Sequence, residues 1–270
     1  MVRLGVSISR TAALLVAQNR LNVDYIVWYG QIGTQHLEAV LPHKPLLLHD
    51  LSDSFWLNYG NPFDEKIMAT TRTILDCIQC SWLSTGIGAS AEPQAHRHGP
   101  YREADQEHLQ TREVVAANIL KNGKQLQEWA GIPLLLENFN YHPTNAYEYI
   151  CEPGFFTELL SDIGCGMLLD LGHARISARN MPEWNGDVKR YLYAMPLDKV
   201  REVHFNRPGW QHGQRVDLHQ PVCTDDLEWL DWVLDRTPAE AVTLEIEEVD
   251  EPTLIAQIDR VREFLEGCRV

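Results

Sequence analysis

The sequence predicts a single (β/α)8 barrel spanning residues 1–270. A short apolar run followed by a helical pattern occurs eight times. The residues that close those runs are repeatedly histidines or carboxylates. No composition break or Pro/Ser-rich linker divides the chain. Eight such units in 270 residues is the count a closed parallel barrel needs. An open doubly wound sheet is the alternative, but it usually carries a Gly-rich loop after its first strand, and Ser7-Ile8-Ser9 offers none.

The units follow in order. Residues 4–8 read as a strand and 11–20 as a helix; 25–29 and 34–41 repeat the pair. Strand 46–49 leads through a loop to helix 62–80, and strand 81–85 through the long loop 86–108 to helix 111–130. Strand 133–138 precedes a loop and helix 154–163; strand 166–171 precedes a loop and helix 187–194. Strand 200–205 is followed by a long polar loop and helix 225–236, and strand 241–247 by helix 252–266. Val115, Ile119, Leu126 and Trp129 share one helical face, as do Leu254, Ile258, Val261 and Leu265. Gly131 and Gly267 close their helices, and Asp250 or Glu251 before Pro252 opens the last one. Leu134-Leu135-Leu136 and Met167-Leu168-Leu169 are apolar on both faces, which suits parallel strands covered by helices.

Composition excludes several functions. The chain is 44% hydrophobic and 23% charged, as soluble globular proteins are. No apolar run reaches the length of a membrane span. The opening MVRLGVSISR lacks the apolar core of a signal peptide, and six irregularly spaced cysteines read as reduced thiols, so a cytoplasmic protein is expected. Cys77-x-x-Cys80 lies in a helical pattern without a second pair and reads as structural. A net charge of −15 disfavours nucleic acid as the main partner. There is no G-x-S-x-G, P-loop or EF-hand motif, and Gly164-Cys165-Gly166 falls at the wrong end of a barrel strand for catalysis.

The polar residues at the strand ends remain. In a barrel of this kind the chemistry sits at the C-terminal ends of the strands. His49-Asp50 closes strand three, Glu137-Asn138 strand five, Asp170 strand six with His173 three residues on, and His204 strand seven. Glu245 and Glu247 end strand eight, and Glu245 sits deeper. Thirteen residues beyond His204, Asp217 and His219 form D-x-H; an extended chain points both side chains to one side. Two carboxylates ~4 Å apart repel by roughly 4 kcal/mol at an effective dielectric near 20, so four at one mouth must protonate or acquire cations. The expected ligands are His49, Glu137, Asp170, His173, His204, Asp217, His219 and Glu245, with Glu137 as the bridge. Imidazole and carboxylate without thiolate suit zinc, iron or manganese, and so many donors imply more than one ion. Trp28, Tyr29, Trp56 and Trp210 follow strands and either wall a pocket or pack the rim.

At these residues the chain resembles the xylose-isomerase-like TIM barrels. The order Glu137, Asp170-x-x-His173, His204, Asp217-x-His219, Glu245 is similar to the trinuclear zinc set of endonuclease IV-type enzymes. The surrounding segments LLLENFNY, CGMLLDLGHARISA, YLYAMPLDKVREVH and DLHQPV resemble the multinuclear non-haem iron-dependent oxidative enzymes, formerly a domain-of-unknown-function family, across most of residues 110–260. The chain departs from that pattern twice. It has Asp170-Leu171-Gly172-His173 where the oxidative family has Asp-x-Asn-Asn, and strand four lacks the expected histidine, leaving His96 or His98 as replacements or a metal position vacant. The resemblance implies two or three divalent metal ions, iron above zinc or manganese. His49, Glu137, Asp170, His204 and Glu245 would hold a central pair; His173, Asp217 and His219 would hold another ion. It further implies O₂-dependent modification of cysteine in a peptide, with a partner protein presenting it. A zinc- or manganese-dependent hydrolase or sugar isomerase is the second expectation, and a non-catalytic barrel binding a metal, a small molecule or a partner is the third. Arg207, Trp210 and Arg215, in the loop after strand seven, are expected to touch substrate.

Overall fold

The computed structural model describes residues 2–30, 34–51, 56–92, 97–98, 101–102, 108–246 and 249–267. Eight parallel strands close into a barrel in sequence order, strand one pairing with strand eight. They are Arg3–Ser7, Tyr25–Tyr29, Leu46–His49, Leu83–Gly86, Leu134–Glu137, Gly166–Asp170, Val200–Phe205 and Ala241–Leu244. This is the expected (β/α)8 fold.

Side-chain alternation along each strand divides the apolar residues in two. Leu48, Leu136, Leu169, Val203 and Leu244 pack outward against the helices in one large core. The alternate set, Tyr25, Val27, Leu47, Trp82, Leu135, Leu168 and Ala241, forms a second cluster that fills the barrel. Gly5 belongs to the inner layer by necessity: a Cβ there would lie 2.2 Å from the Tyr25 ring. The same parity carries upward to Tyr29, His49, Ser84, Glu137, Asp170, His204 and Glu245. Register then sets these level, pairing Tyr29 with His49, His49 with Ser84, and Asp170 with His204. The strands thus deliver an apolar plug below and a polar ring above.

The helices start and stop where local chemistry directs. Thr111 caps helix Arg112–Ala130 through its hydroxyl, and Gly131 ends it at φ 71°. Asp250 accepts from the Thr253 amide at 2.9 Å at the start of Glu251–Gly267.

Two segments differ from expectation. The stretch after strand six is a helix, Leu171–Asn180, not a loop. Asp170 caps it by accepting from His173 N at 2.6 Å, and its buried face is built from small residues, Gly172, Ala174, Ser177 and Ala178, which weaken the apolar periodicity. The polar segment after strand seven is a β-hairpin, Arg207–Gln211 against Gln214–Gln220. Its two-residue turn, His212-Gly213, has φ of 50° and 80°, the pattern of a turn that matches strand twist. No helix among the described residues is long and apolar enough to cross a membrane.

Candidate metal centre

The mouth of the barrel holds a cavity of about 350 Å³ lined by Ser7, Tyr29, His49, Glu137, His173, Asp217, His219 and Glu245, among others. Three larger clefts, about 620, 640 and 530 Å³, gather only one histidine among them, His43. The eight expected ligands all converge here: six line this cavity, and Asp170 and His204 lie fully buried against them.

His204 decides what the cavity is built for. Its Nδ1 lies 3.2 Å from Glu245 Oε1 and 3.7 Å from Glu137 Oε1, while Nε2 lies 3.4 Å from Glu202 Oε1. Neither nitrogen makes an aligned hydrogen bond, although the residue has no solvent contact. A buried polar group without a partner costs about 1–3 kcal/mol, which a metal–nitrogen bond offsets. Glu202 beneath it accepts from Trp82 Nε1 at 2.7 Å and Thr243 Oγ1 at 2.6 Å. Burial opposes ionisation of Glu202, but His204 beside it and these hydrogen bonds hold its carboxyl below the usual range. An ionised carboxylate on one side of an imidazole directs the other nitrogen outward, here Nδ1 toward Glu137 and Glu245.

The other ligands are held in the same manner. Ser84 Oγ lies 2.9 Å from His49 Nδ1, turning Nε2 toward Glu137 Oε2 and Asp50 Oδ2, each at 3.6 Å. Asp50 is itself tied to strand four by Thr85 Oγ1 and the Gly86 amide at 2.7 and 3.0 Å. His173 Nδ1 sits 2.9 Å from the Asn138 carbonyl and so donates there, leaving Nε2 as its ligand atom, 3.1 Å from Asp217 Oδ2. His219 Nε2 approaches the same oxygen at 2.8 Å. Asp217 and His219 meet through a bulge and not through an extended strand: the register shifts between the Arg207–Gln220 and Gly209–Val216 pairs, and His219 lies at φ 42°. The Tyr29 hydroxyl donates to Glu245.

Burial and mutual charge shift the groups around the mouth. Burial pushes Glu245 up to about 7, and burial with Asp170, Asp50 and Asp217 pushes Glu137 well above the carboxylate range. Burial depresses His49 to about 4, against the opposing pull of Asp50. For His173 burial acts downward too, but Asp170, Asp217 and Glu137 outweigh it and raise the imidazole well above its ordinary value. Glu137, His173 and Glu245 thus hold protons that a bound cation would displace. Three groups have donor atoms within 4.8 Å of one another, the spacing a metal ion takes: His49, Glu137 and His204; Glu137, Asp170 and His173; Asp170, His204 and Glu245. Glu137, Asp170 and His204 each belong to two of the three.

A family model described as the RiPP precursor modification enzyme MbnB/TglH/ChrH matches residues 21–266. The chain belongs to this family. Among curated proteins it is similar to a UPF0276 protein of Caulobacter vibrioides, 29% identical over 69% of this chain, and to one of Bordetella bronchiseptica, 35% identical over 51%. Those matches span 63% and 49% of the relatives' own lengths. Among solved structures the fold matches a xylose isomerase-like TIM barrel protein of Mycobacterium smegmatis in complex with magnesium, with TM-score 0.60 and 13% identity over 98% of this chain and 97% of the other. It also matches endonuclease IV of Thermus thermophilus, with TM-score 0.60 and 17% identity over 98% of this chain and all of that one. These two likenesses establish the fold.

Sequence reasoning passed over Glu202 and Ser84, and took Tyr29 only as a pocket wall or rim residue. Glu202 had a signal, since it stands two residues before His204 and shares its inward parity. Trp28 packs outward in the large core, and Trp56 lies against Tyr59 and Phe139. At strand four, Ser84 is level with His49 and Gly86 with Glu137, so no imidazole enters from that strand. His96 and Glu247 lie outside the described residues, as does the side chain of His98.

Proposed function

We propose that the chain is a metal-dependent oxidative enzyme that modifies a cysteine-containing precursor peptide. Two or three divalent ions, iron foremost, would be held by His49, Glu137, Asp170, His204 and Glu245 on one side and by His173, Asp217 and His219 on the other. The observation that carries this reading is His204, buried with Nε2 facing Glu202 and with Nδ1 unpartnered beside Glu137 and Glu245, two carboxyls that resist ionisation. Membership of a precursor-modification family supports a peptide as the substrate.

Bound iron would supply the redox chemistry that oxidation of a thiol by O₂ requires. The chain's own residues prepare the site for it. Glu202, Ser84 and the Asn138 carbonyl fix the ring orientations of His204, His49 and His173. Glu137, whose Oε2 faces His49 and whose Oε1 faces His204, would serve as the bridge. Arg207, Trp210 and Arg215 on the hairpin contact the peptide, which a partner protein presents.

Elemental analysis of protein expressed with iron tests the reading, followed by incubation with a cysteine-containing precursor peptide under air and mass spectrometry. Transition metal near two or three per chain and an O₂-dependent mass change are expected; protein without transition metal would end the proposal. A second reading has one observation in its favour. With Ser84 and Gly86 where an imidazole was expected, the donor set also suits zinc or manganese activating water or polarising a sugar carbonyl. Turnover of such a substrate with either ion under argon would select it.

A further inference from the structure

The hairpin that carries Asp217 and His219 into the cavity has a second concentration of chemistry near its turn. Arg207, Arg215 and Trp210 lie on the hairpin, and Arg175 and Arg179 lie on the helix packed beside it. In a chain of net charge −15 this gathering of four guanidiniums is against the trend. Their counter-charge is a single carboxylate, Asp226, 2.8 Å from Arg175 and 4.0 Å from Arg207. That carboxylate also caps a helix by accepting from the Cys223 amide at 2.8 Å. No carboxylate among the described residues lies within ion-pair distance of Arg179 or Arg215.

Both of these arginines instead face one indole. Arg215 lies 5.0 Å and Arg179 6.0 Å from the centroid of Trp210, which is 56% exposed. Arg215 is braced by donating to the Pro208 carbonyl at 2.9 Å, and Asn180 donates to the Arg215 carbonyl at 3.0 Å, so the platform is fixed to both elements. A cleft of about 250 Å³ opens beside it, lined by Pro143, Arg179, Asn180, Trp210, Gly213 and Gln214. Four guanidiniums gathered about one carboxylate repel one another, an anion relieves that repulsion, and the planar guanidinium fork fits carboxylates best.

We propose that this platform binds an acidic segment of a peptide, its carboxylates on Arg179 and Arg215 and an apolar or aromatic side chain on Trp210. The proposal rests on the reading of a peptide substrate and adds the chemistry by which that peptide is recognised. Arg215 precedes Asp217 by two residues on one strand, so a segment held here is anchored beside the cavity mouth. A polynucleotide fits less well, because it would extend from four arginines onto a strongly acidic remainder.

Fluorescence anisotropy decides. The probes are a labelled Glu/Gly/Tyr peptide, the same peptide with Gln for Glu, and a single-stranded oligonucleotide of equal length. The Glu peptide should bind, weaken as salt is raised, and lose about tenfold or more in affinity with Arg179→Glu or Trp210→Ala. Arg179 is exposed, so its variant should fold and keep the wild-type metal content. Equal binding of the Gln peptide, tighter binding of the oligonucleotide, or indifference to both variants would overturn the proposal. His204→Ala separates the two claims: the platform should bind the Glu peptide unchanged in this variant, whether or not the metal reading survives.

Discussion

Glu202 shows how a residue outside the cavity sets what happens within it. Its carboxylate receives Trp82 and Thr243 and stands 3.4 Å from His204. Glu202→Gln keeps the shape but removes the charge that aims the imidazole. Metal affinity should fall about 10–100-fold, as removal of such outer partners generally causes. Chelator competition measures it, and little change in melting temperature should accompany the loss. Glu202→Ala should differ in kind, because it strands the buried donors of Trp82 and Thr243 and should destabilise the fold by about 2–4 kcal/mol in urea unfolding. The eight candidate ligands were legible because histidine and carboxylate stood out at the ends of apolar runs. Glu202 was hidden within such a run, where only the parity of the strand marks it as facing inward.

At the scale of elements, the eight strands were legible and the connections less so. Strand runs such as Leu134–Glu137 are short, apolar and bounded, so nothing competes with the reading. Helix Leu171–Asn180 was missed because it packs through Gly172, Ala174 and Ser177, and because its cap is a residue already assigned to metal binding. Asp170 therefore has two separable duties. Asp170→Asn retains a capping oxygen and should leave stability within about 0.5 kcal/mol in the metal-free protein while abolishing metal at the central sites. Asp170→Ala should lose the cap as well, for about 1 kcal/mol more, read from thermal melts with chelator present. In sequence the hairpin reads as a loop because most of its residues are polar and only Pro208, Gly209 and Val216 are buried, so no apolar alternation marks its strands. Its turn needs Gly213 at φ 80°. Gly213→Val should cost the hairpin about 1–2 kcal/mol, with faster proteolysis near the turn and weaker acidic-peptide binding while the barrel melts normally.

For the whole molecule, the eightfold alternation made the fold readable, because a closed parallel barrel repeats one local rule around its circumference. What the repetition does not encode is the coupling among groups that meet only after closure. Glu245, pushed up to about 7 by burial, comes from the last strand, and Glu137 and His173 come from the middle of the chain. Each holds a proton more tightly in the folded, metal-free barrel than in the unfolded chain. Such groups favour the folded metal-free state at low pH and lose that contribution as pH rises through their folded values. Metal binding has the opposite sign, since every ligand must shed its proton first. Affinity should therefore fall as pH drops below about 7, by up to about tenfold per pH unit for each proton displaced. His49, pushed down to about 4, is already neutral in this window and adds nothing to the slope. Glu245→Gln should weaken binding but also flatten the slope by the one proton that Glu245 contributes. Calorimetric titration of metal between pH 6 and 8, in two buffers of different ionisation enthalpy, counts the protons released. A pH-independent affinity over that range would mean that these carboxylates and imidazoles do not take up the metal.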